Sequence, residues 1–290
     1  GYALSYAFEL LLGEGRVDAV VVVDADTSVS PNLLTAFDAA IITGAEAMQA
    51  HYGVRDPGQS WRTRLVSLGL MLFHGVRSSA RESLGVSCGL RGNGMCFRAD
   101  LLRRVPHTAY SIVEDLEYGI ALGLAGVRVV YVEDAQVSGD MPTTTESSRS
   151  QRARWEGGRR EIRHRYAREL LATACKRRDV MLLDLALDLL VPPLSAVVAG
   201  VMLGFLASTA FALAIGSFSF SVVLWSAALV GLAIYIGRGC VMTGNFVRAI
   251  GDLAWAPVFM IWKLTVRSSR AAKQGEWVRT RRTAIGRGDA

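Results

Sequence analysis

Between Leu189 and Gly237 the chain carries no Asp, Glu, Lys or Arg. Nothing else restricts the fold so strongly, because a helix in a water-soluble domain keeps a polar face. A bilayer span takes about 20 apolar residues at roughly 1.5 Å rise each, so this run holds two spans and a turn. "GSFSFS" at 216–221 marks the turn and predicts helices near 191–215 and 221–237. Pro192 and Pro193 suit the start of the first, where a missing amide donor costs least. The alternative is a buried hairpin, but the rest of the 290 residues is too small to cover one.

The flanks set the expected topology. "LAWAPVFMIWKLTV" (253–266) is too short to span, is broken by Pro257 and carries tryptophans and basic residues, the pattern of a helix lying at the interface. From Lys263 onward eight Lys and Arg face only Glu276 and Asp289. The positive-inside bias puts that tail in the cytoplasm, and two spans return the chain to the side it left. The expected organisation is a cytoplasmic domain over 1–180, a membrane region over 181–266 and a basic cytoplasmic tail over 267–290, in a multi-pass protein of the inner (cytoplasmic) membrane. Cys88, Cys96, Cys175 and Cys240 show no CxxC pairing, and the four histidines are scattered, so no zinc site is expected.

In the front domain, "VDAVVVVDADTSVSPN" (17–32) is a continuous β-branched run that stops at acids. It reads as a strand buried on both faces of a mostly parallel sheet. Asp24 and Asp26 then stand at its carboxyl end, the edge where open α/β sheets bind ligands. Ser30-Pro31 caps the next helix and Gly44 can end it. Two carboxylates at i and i+2 can approach Mg²⁺, which takes one or two carboxylates plus phosphate oxygens; they can equally be turn aspartates that cap a helix.

Three further stretches carry chemistry. In "SIVEDLEYGIALGLAG" (111–126), Glu114, Asp115 and Glu117 open a helix-period run that Gly126 closes. Acids there complement the helix dipole, or one serves as a general base facing a site. "LRGNGMCFRADLL" (90–102) is a glycine-flanked loop entering a short helix, where Gly92 and Gly94 let backbone approach a ligand. It has neither the dinucleotide nor the P-loop spacing. In "QRARWEGGRR" (151–160), Gln151, Arg154 and Trp155 share a helix face at i, i+3 and i+4. An amide, a guanidinium fork and an indole suit a phosphate beside a sugar ring. Arg159, Arg160, Arg163, Arg165 and Arg168 continue the basic helix and read as a headgroup-facing surface.

Asp-Ala-Asp at 24–26, Glu-Asp at 114–115 and Gln-Arg-Ala-Arg-Trp at 151–155, followed by membrane helices, resemble the family 2 glycosyltransferases. The likeness is to the membrane-bound QxxRW branch that includes cellulose, chitin and hyaluronan synthases. "GNGMCFR", "MPTT" and "EWVRTRR" resemble its bacterial members. The resemblance implies an α/β GT-A (Rossmann-like) fold, here incomplete at its N-terminus, because the family's first strands would precede Gly1. It also implies a nucleotide-diphosphate sugar donor, a lipid-linked or glycan acceptor, and inversion at the anomeric carbon. Asp24 and Asp26 would hold Mg²⁺ or Mn²⁺ and the donor diphosphate, and Asp115 would be the base. Gln151, Arg154 and Trp155 would line the acceptor and diphosphate site, with Gly92, Asn93 and Gly94 in an acceptor loop. One competing reading is a catalytically silent membrane scaffold, which should have lost one of these motif residues; none is lost. A nucleic-acid binder would need aromatics interleaved with its arginines, and only Trp155 and Tyr166 qualify. No nucleic-acid partner is expected.

Overall fold

The computed structural model describes residues 1–140, 145–217 and 219–260, with side chains throughout these except at 145–153. Helix α1 (Tyr2–Gly13) precedes strand β1 (Ala19–Val22), and the short β2 (Ser28–Val29) leads to α2 (Leu33–Ile42). After β3 (Ala47–Val54), helix α3 (Trp61–Leu70) runs through a π-helical turn (Met71–Val76) into α4 (Arg77–Ser83). Then come β4 (Met95–Arg98), α5 (Ala99–Arg104), α6 (Glu114–Leu124) and β5 (Val129–Gly139). Four helices follow: α7 (Thr145–Arg177), α8 (Val180–Leu190), α9 (Leu194–Ile215) and α10 (Phe220–Met242). Helix α11 (Phe246–Leu253) comes next.

The five strands form one sheet in the order β1-β4-β3-β5-β2. The parallel expectation needs correction. Only β3 and β5 pair in parallel, while β4 runs antiparallel to both of its neighbours. Because β4 separates them, β1, β3 and β5 nevertheless run in one direction, and their carboxyl ends share one edge. β1 buries only Val20, because it is the end strand of this order rather than a central one. "GNG" does not enter a helix directly; it enters β4 from the carboxyl edge, with α5 following.

The helix after the DAD turn is capped as the glycine predicted. Gly44 adopts a left-handed φ of 97° and its N–H closes onto Ile41 at 2.9 Å. At the start the cap position falls on Asn32 rather than on Ser30-Pro31, and the Ser30 carbonyl accepts from the Leu33 N–H at 3.0 Å.

Two helices are long and apolar enough to cross a membrane, Leu194–Ile215 and Phe220–Met242, with 6 % and 0 % of their most apolar windows buried. A core hairpin would be covered, so this exposure is consistent with a pair that associates with a membrane. Pro193 is the N-cap of α9, and Gly216 ends it in the left-handed conformation at φ 63°. Helix α8 is apolar too, but it packs on α6 and α7 through Leu182, Leu185 and Leu189. The lower end of α10 docks on the π-turn: Gly239 abuts Leu72, and the Tyr235 hydroxyl donates to the Leu72 carbonyl at 2.8 Å. Beyond it, Arg64 Nε donates to both oxygens of Asp252 at 2.8 Å, and Trp61 stacks on Trp255 at 5.4 Å. Of the segment read as interfacial, residues 256–260 are helical, and its remainder beyond 260 lies outside the described residues. Phe246, Val247 and Ile250 of α11 are exposed, so an unpartnered apolar surface begins before the segment chosen from sequence.

Candidate active site

The carboxyl edge gathers most of the chemistry. After β1 the chain turns tightly, the Thr27 N–H closing onto the Asp24 carbonyl at 3.0 Å. Asp24 and Asp26 are both exposed on this turn. Two neighbours hold it. Asn93 Oδ1 accepts from the Asp24 N–H at 3.2 Å, and its Nδ2 donates to Thr27 Oγ1 at 2.7 Å. From the other side Arg55 Nη2 donates to the Asp26 carbonyl at 2.6 Å and pairs with Asp140 at 3.4 Å.

Asn93 reaches the turn because its flanking glycines take left-handed φ values of 78° (Gly92) and 67° (Gly94). A Cβ on Gly94 would stand 2.7 Å from Val137 Cγ2, so the loop also needs the missing side chain for space. A Cβ on Gly92 would lie 3.5 Å from Asp115 Oδ2. The loop therefore holds the DAD turn through Asn93 and passes beside the Asp115 carboxylate at Gly92. Asn93, read from the sequence as part of an acceptor loop, has its side chain buried and directed at the turn.

The three acids of α6 separate into different jobs. Desolvation raises the Asp115 carboxyl to about 6, with Glu114 adding to the rise and Arg91 and local backbone bonds opposing it. Glu117 is buried and committed to structure. Its Oε2 accepts from the Ser111 N–H at 3.1 Å, while its Oε1 accepts from Tyr166 at 3.0 Å and Arg165 at 3.1 Å. These bonds hold its carboxyl below the usual range despite burial. The Asp24 carboxyl is raised by desolvation first, then by the charges of Asp26 and Glu114. A carboxylate whose charge two neighbouring acids disfavour is one that a cation would relieve, and Asp24 with Asp26 fits the one or two carboxylates that a Mg²⁺-type ion takes from a protein. Among the described residues no group of three or more His, Cys, Asp or Glu converges on a metal position.

Helix α7 approaches this edge at Gly158, where a Cβ would stand 2.8 Å from Val113 Cγ1, next to Glu114. Arg154 and Trp155 lie four and three residues earlier, on the helix face that Gly158 presents to the start of α6. Trp155 is 42 % exposed, three residues before the point where the helix packs on Val113. The Gln151 side chain lies outside the described residues. The lipid-facing reading of the later arginines needs correction at two positions. Arg159 pairs with Asp188 at 3.3 Å and also donates to its carbonyl; Arg165 pairs with Glu117 at 3.1 Å. Both are bound within the domain because α8 and α6 present acids there. Arg160 and Arg168 remain exposed.

Sequence reasoning missed Arg55, Gln49 and Arg91. Only Arg91 carried any signal, as the residue ahead of the "GNG" loop. A cavity of about 550 Å³ lies elsewhere, between β2, the ends of β3 and β5, α3 and α11; its lining includes Ser28, His51, Arg64 and Arg248. It reaches none of Asp24, Asp26, Asp115 or Trp155.

The chain thus joins a co-directional strand edge with a paired-carboxylate turn to a desolvated helix-start aspartate, on an α/β domain followed by an apolar hairpin. The model of the glycosyl transferase family group 2 matches residues 19–237, and the chain belongs to this family of glycosyltransferases. It is 24 % identical over 161 residues to probable glucomannan 4-beta-mannosyltransferase 14 of Arabidopsis thaliana, covering 54 % of this chain and 30 % of that protein. It is 24 % identical over 157 residues to probable glucomannan 4-beta-mannosyltransferase 3 of Oryza sativa subsp. japonica, covering 53 % and 28 %. The chain thus matches less than a third of the length of these curated relatives.

Proposed function

We propose that the protein is a multi-pass, metal-dependent, inverting glycosyltransferase of the inner membrane. It moves a sugar from a nucleotide-diphosphate donor to a lipid-linked or glycan acceptor in envelope or exopolysaccharide synthesis. The observation that carries this reading is that one loop lies beside both halves of the chemistry, with Asn93 bonded to the DAD turn and Gly92 next to Asp115. Asp24 and Asp26 would hold Mg²⁺ or Mn²⁺, which supplies Lewis-acid neutralisation of the departing diphosphate. Asp115 accepts the proton of the acceptor hydroxyl as that oxygen attacks the anomeric carbon and the bond to the diphosphate oxygen breaks. A single base on one side of the sugar suits one in-line displacement, hence inversion. Arg154 binds diphosphate and Trp155 stacks on a sugar ring, with Gln151 on the same helix face. The catalytic unit extends through α8, which packs on α6 and α7, and faces the cytoplasm with the basic tail.

The relatives are named for mannosyl transfer to glucomannan, which makes mannose and glucose donors the first to test. The full chain in detergent is incubated with radiolabelled nucleotide-diphosphate sugars, and label is scored in lipid and polymer fractions. Transfer that chelator abolishes and Mg²⁺ or Mn²⁺ restores is expected. Absence of both transfer and donor hydrolysis across the screen would favour the silent scaffold.

A further inference from the structure

The turn that carries Asp24 and Asp26 is exposed, yet the groups that fix it are among the most buried polar side chains in the protein. Asn93 is 2 % exposed and Gln49 1 %. A buried amide persists only when its donors and acceptors are matched, and both of these are. Asn93 spends Oδ1 on the Asp24 N–H and Nδ2 on Thr27, one tie at each end of the turn. Gln49, on the strand with neighbours on both sides, grips the glycine loop in turn. Its Nε2 donates to the Asn93 carbonyl at 2.8 Å and to the Ala50 carbonyl at 3.0 Å, while its Oε1 accepts from the Arg91 N–H at 2.8 Å. The chain of support therefore runs from the middle of the sheet through Gln49 to the loop, and from the loop through Asn93 to the turn.

We propose that Asn93, set by Gln49, is the positioning residue that holds Asp24 and Asp26 ready for a divalent cation. Neither amide touches substrate; they act by keeping the turn from relaxing when no ion is present. The physical reason is preorganisation. Two like charges on a free turn separate, whereas a turn tied at both ends keeps them converged. The ion itself rests on the metal-assisted reading above, but the brace does not, so two measurements separate them.

Hydrogen exchange is followed without metal over the peptide containing Asp24 to Thr27, in the full chain in detergent. Mn²⁺ is then titrated into the same samples and read by electron paramagnetic resonance. Asn93→Ala is expected to speed exchange in that peptide at least tenfold and to weaken Mn²⁺ binding about tenfold. Thr27→Val, which removes one tie and adds no cavity, should do both to a smaller degree, and Gln49→Met should resemble it. Arg98→Gln, on the exposed Arg98–Asp100 pair, should change neither. Thr27→Val keeps the test open if Asn93→Ala does not fold. Unchanged exchange in the folded variants would overturn the brace whatever the ion does. Faster exchange with unchanged Mn²⁺ binding would overturn the positioning role, and wild type that binds no Mn²⁺ would overturn the metal reading and this role with it.

Discussion

Two charged regions meet at Arg91, and they are built differently. On one side stand Asp24, Asp26, Glu114 and Asp115, where Asp26 and Glu114 disfavour the charge on a desolvated Asp24, and Glu114 that on a desolvated Asp115. On the other, Arg77, Arg81 and Arg159 converge on Asp188, and Arg81 also reaches Asp184 at 2.9 Å. Asp188 is 5 % exposed and serves three guanidinium groups. Arg91 feels both regions, since Asp115 favours its charge while Arg81 and Arg159 oppose it. In the arginine region the guanidinium groups reach Asp184 and Asp188 directly, so the cluster ties α4, α7 and α8 together. In the acidic region Asp24 is crowded by Asp26 and Glu114, and Asp115 by Glu114, an arrangement that the proposed cation and proton would relieve. An acid's sequence neighbourhood does not reveal which arrangement it belongs to; its partners do.

Substitution in the two regions should therefore have opposite consequences. The largest expected effect is on catalysis. Asp115→Asn should lower turnover about 10²-fold or more, the scale of general-base loss, while donor still binds. Near-normal turnover would move the base elsewhere and erase the contrast. Next is stability: Asp188→Ala leaves three arginines facing no carboxylate at that point, and breaking such a buried group costs about 3–5 kcal/mol. A chemical-denaturation midpoint close to wild type would show that the arginine cluster is not structural.

The third test uses pH. The folded Asp115 carboxyl, at about 6, lies above its ordinary value of 3.8. Its ionisation therefore works against the fold, fully so above about pH 6, and the penalty is absent below the unfolded value. Turnover should fall about tenfold per unit as pH drops below 6, while Asp115→Asn should raise stability at neutral pH by at most about 3 kcal/mol. That gain should vanish near pH 4. A neutral or destabilising Asp115→Asn at pH 7 would mean the carboxylate is structurally paired after all. The smallest effect is expected at Arg165. Its side chain is 63 % exposed, so Arg165→Gln should cost less than about 1 kcal/mol, measured by the same denaturation series.

The apolar hairpin was legible in the chain because charge exclusion over so long a run has few soluble explanations; the observed ends, Leu194–Ile215 and Phe220–Met242, differ from the reading mainly where α10 continues past Gly237. That extension carries Arg238 and Gly239, and it exists because Gly239 lets the helix press on Leu72 of the π-turn. The acids at 24, 26 and 115 were legible as candidates because residue type and place in an element can be read locally. Their environment could not be read in this way. Asp115 and Glu117 stand two residues apart in one helix start, yet one is desolvated and the other is satisfied by Tyr166 and Arg165, 49 and 48 positions away. Arg55 and Gln49 carried no motif, since their value lies in reaching the Asp26 and Asn93 carbonyls.

By itself the sequence determined the apolar hairpin, the strand that ends at Asp24, the helix that opens at Glu114 and the glycines around Asn93. All four follow from short-range causes: hydropathy, β-branching, the helix dipole and permitted φ. Only the tertiary structure decided that β4 runs against its neighbours, that Arg159 and Arg165 pair with Asp188 and Glu117, and that Asn93 serves the turn. Each of those depends on which distant group arrives to satisfy a charge or an amide, and burial makes the unsatisfied alternative costly.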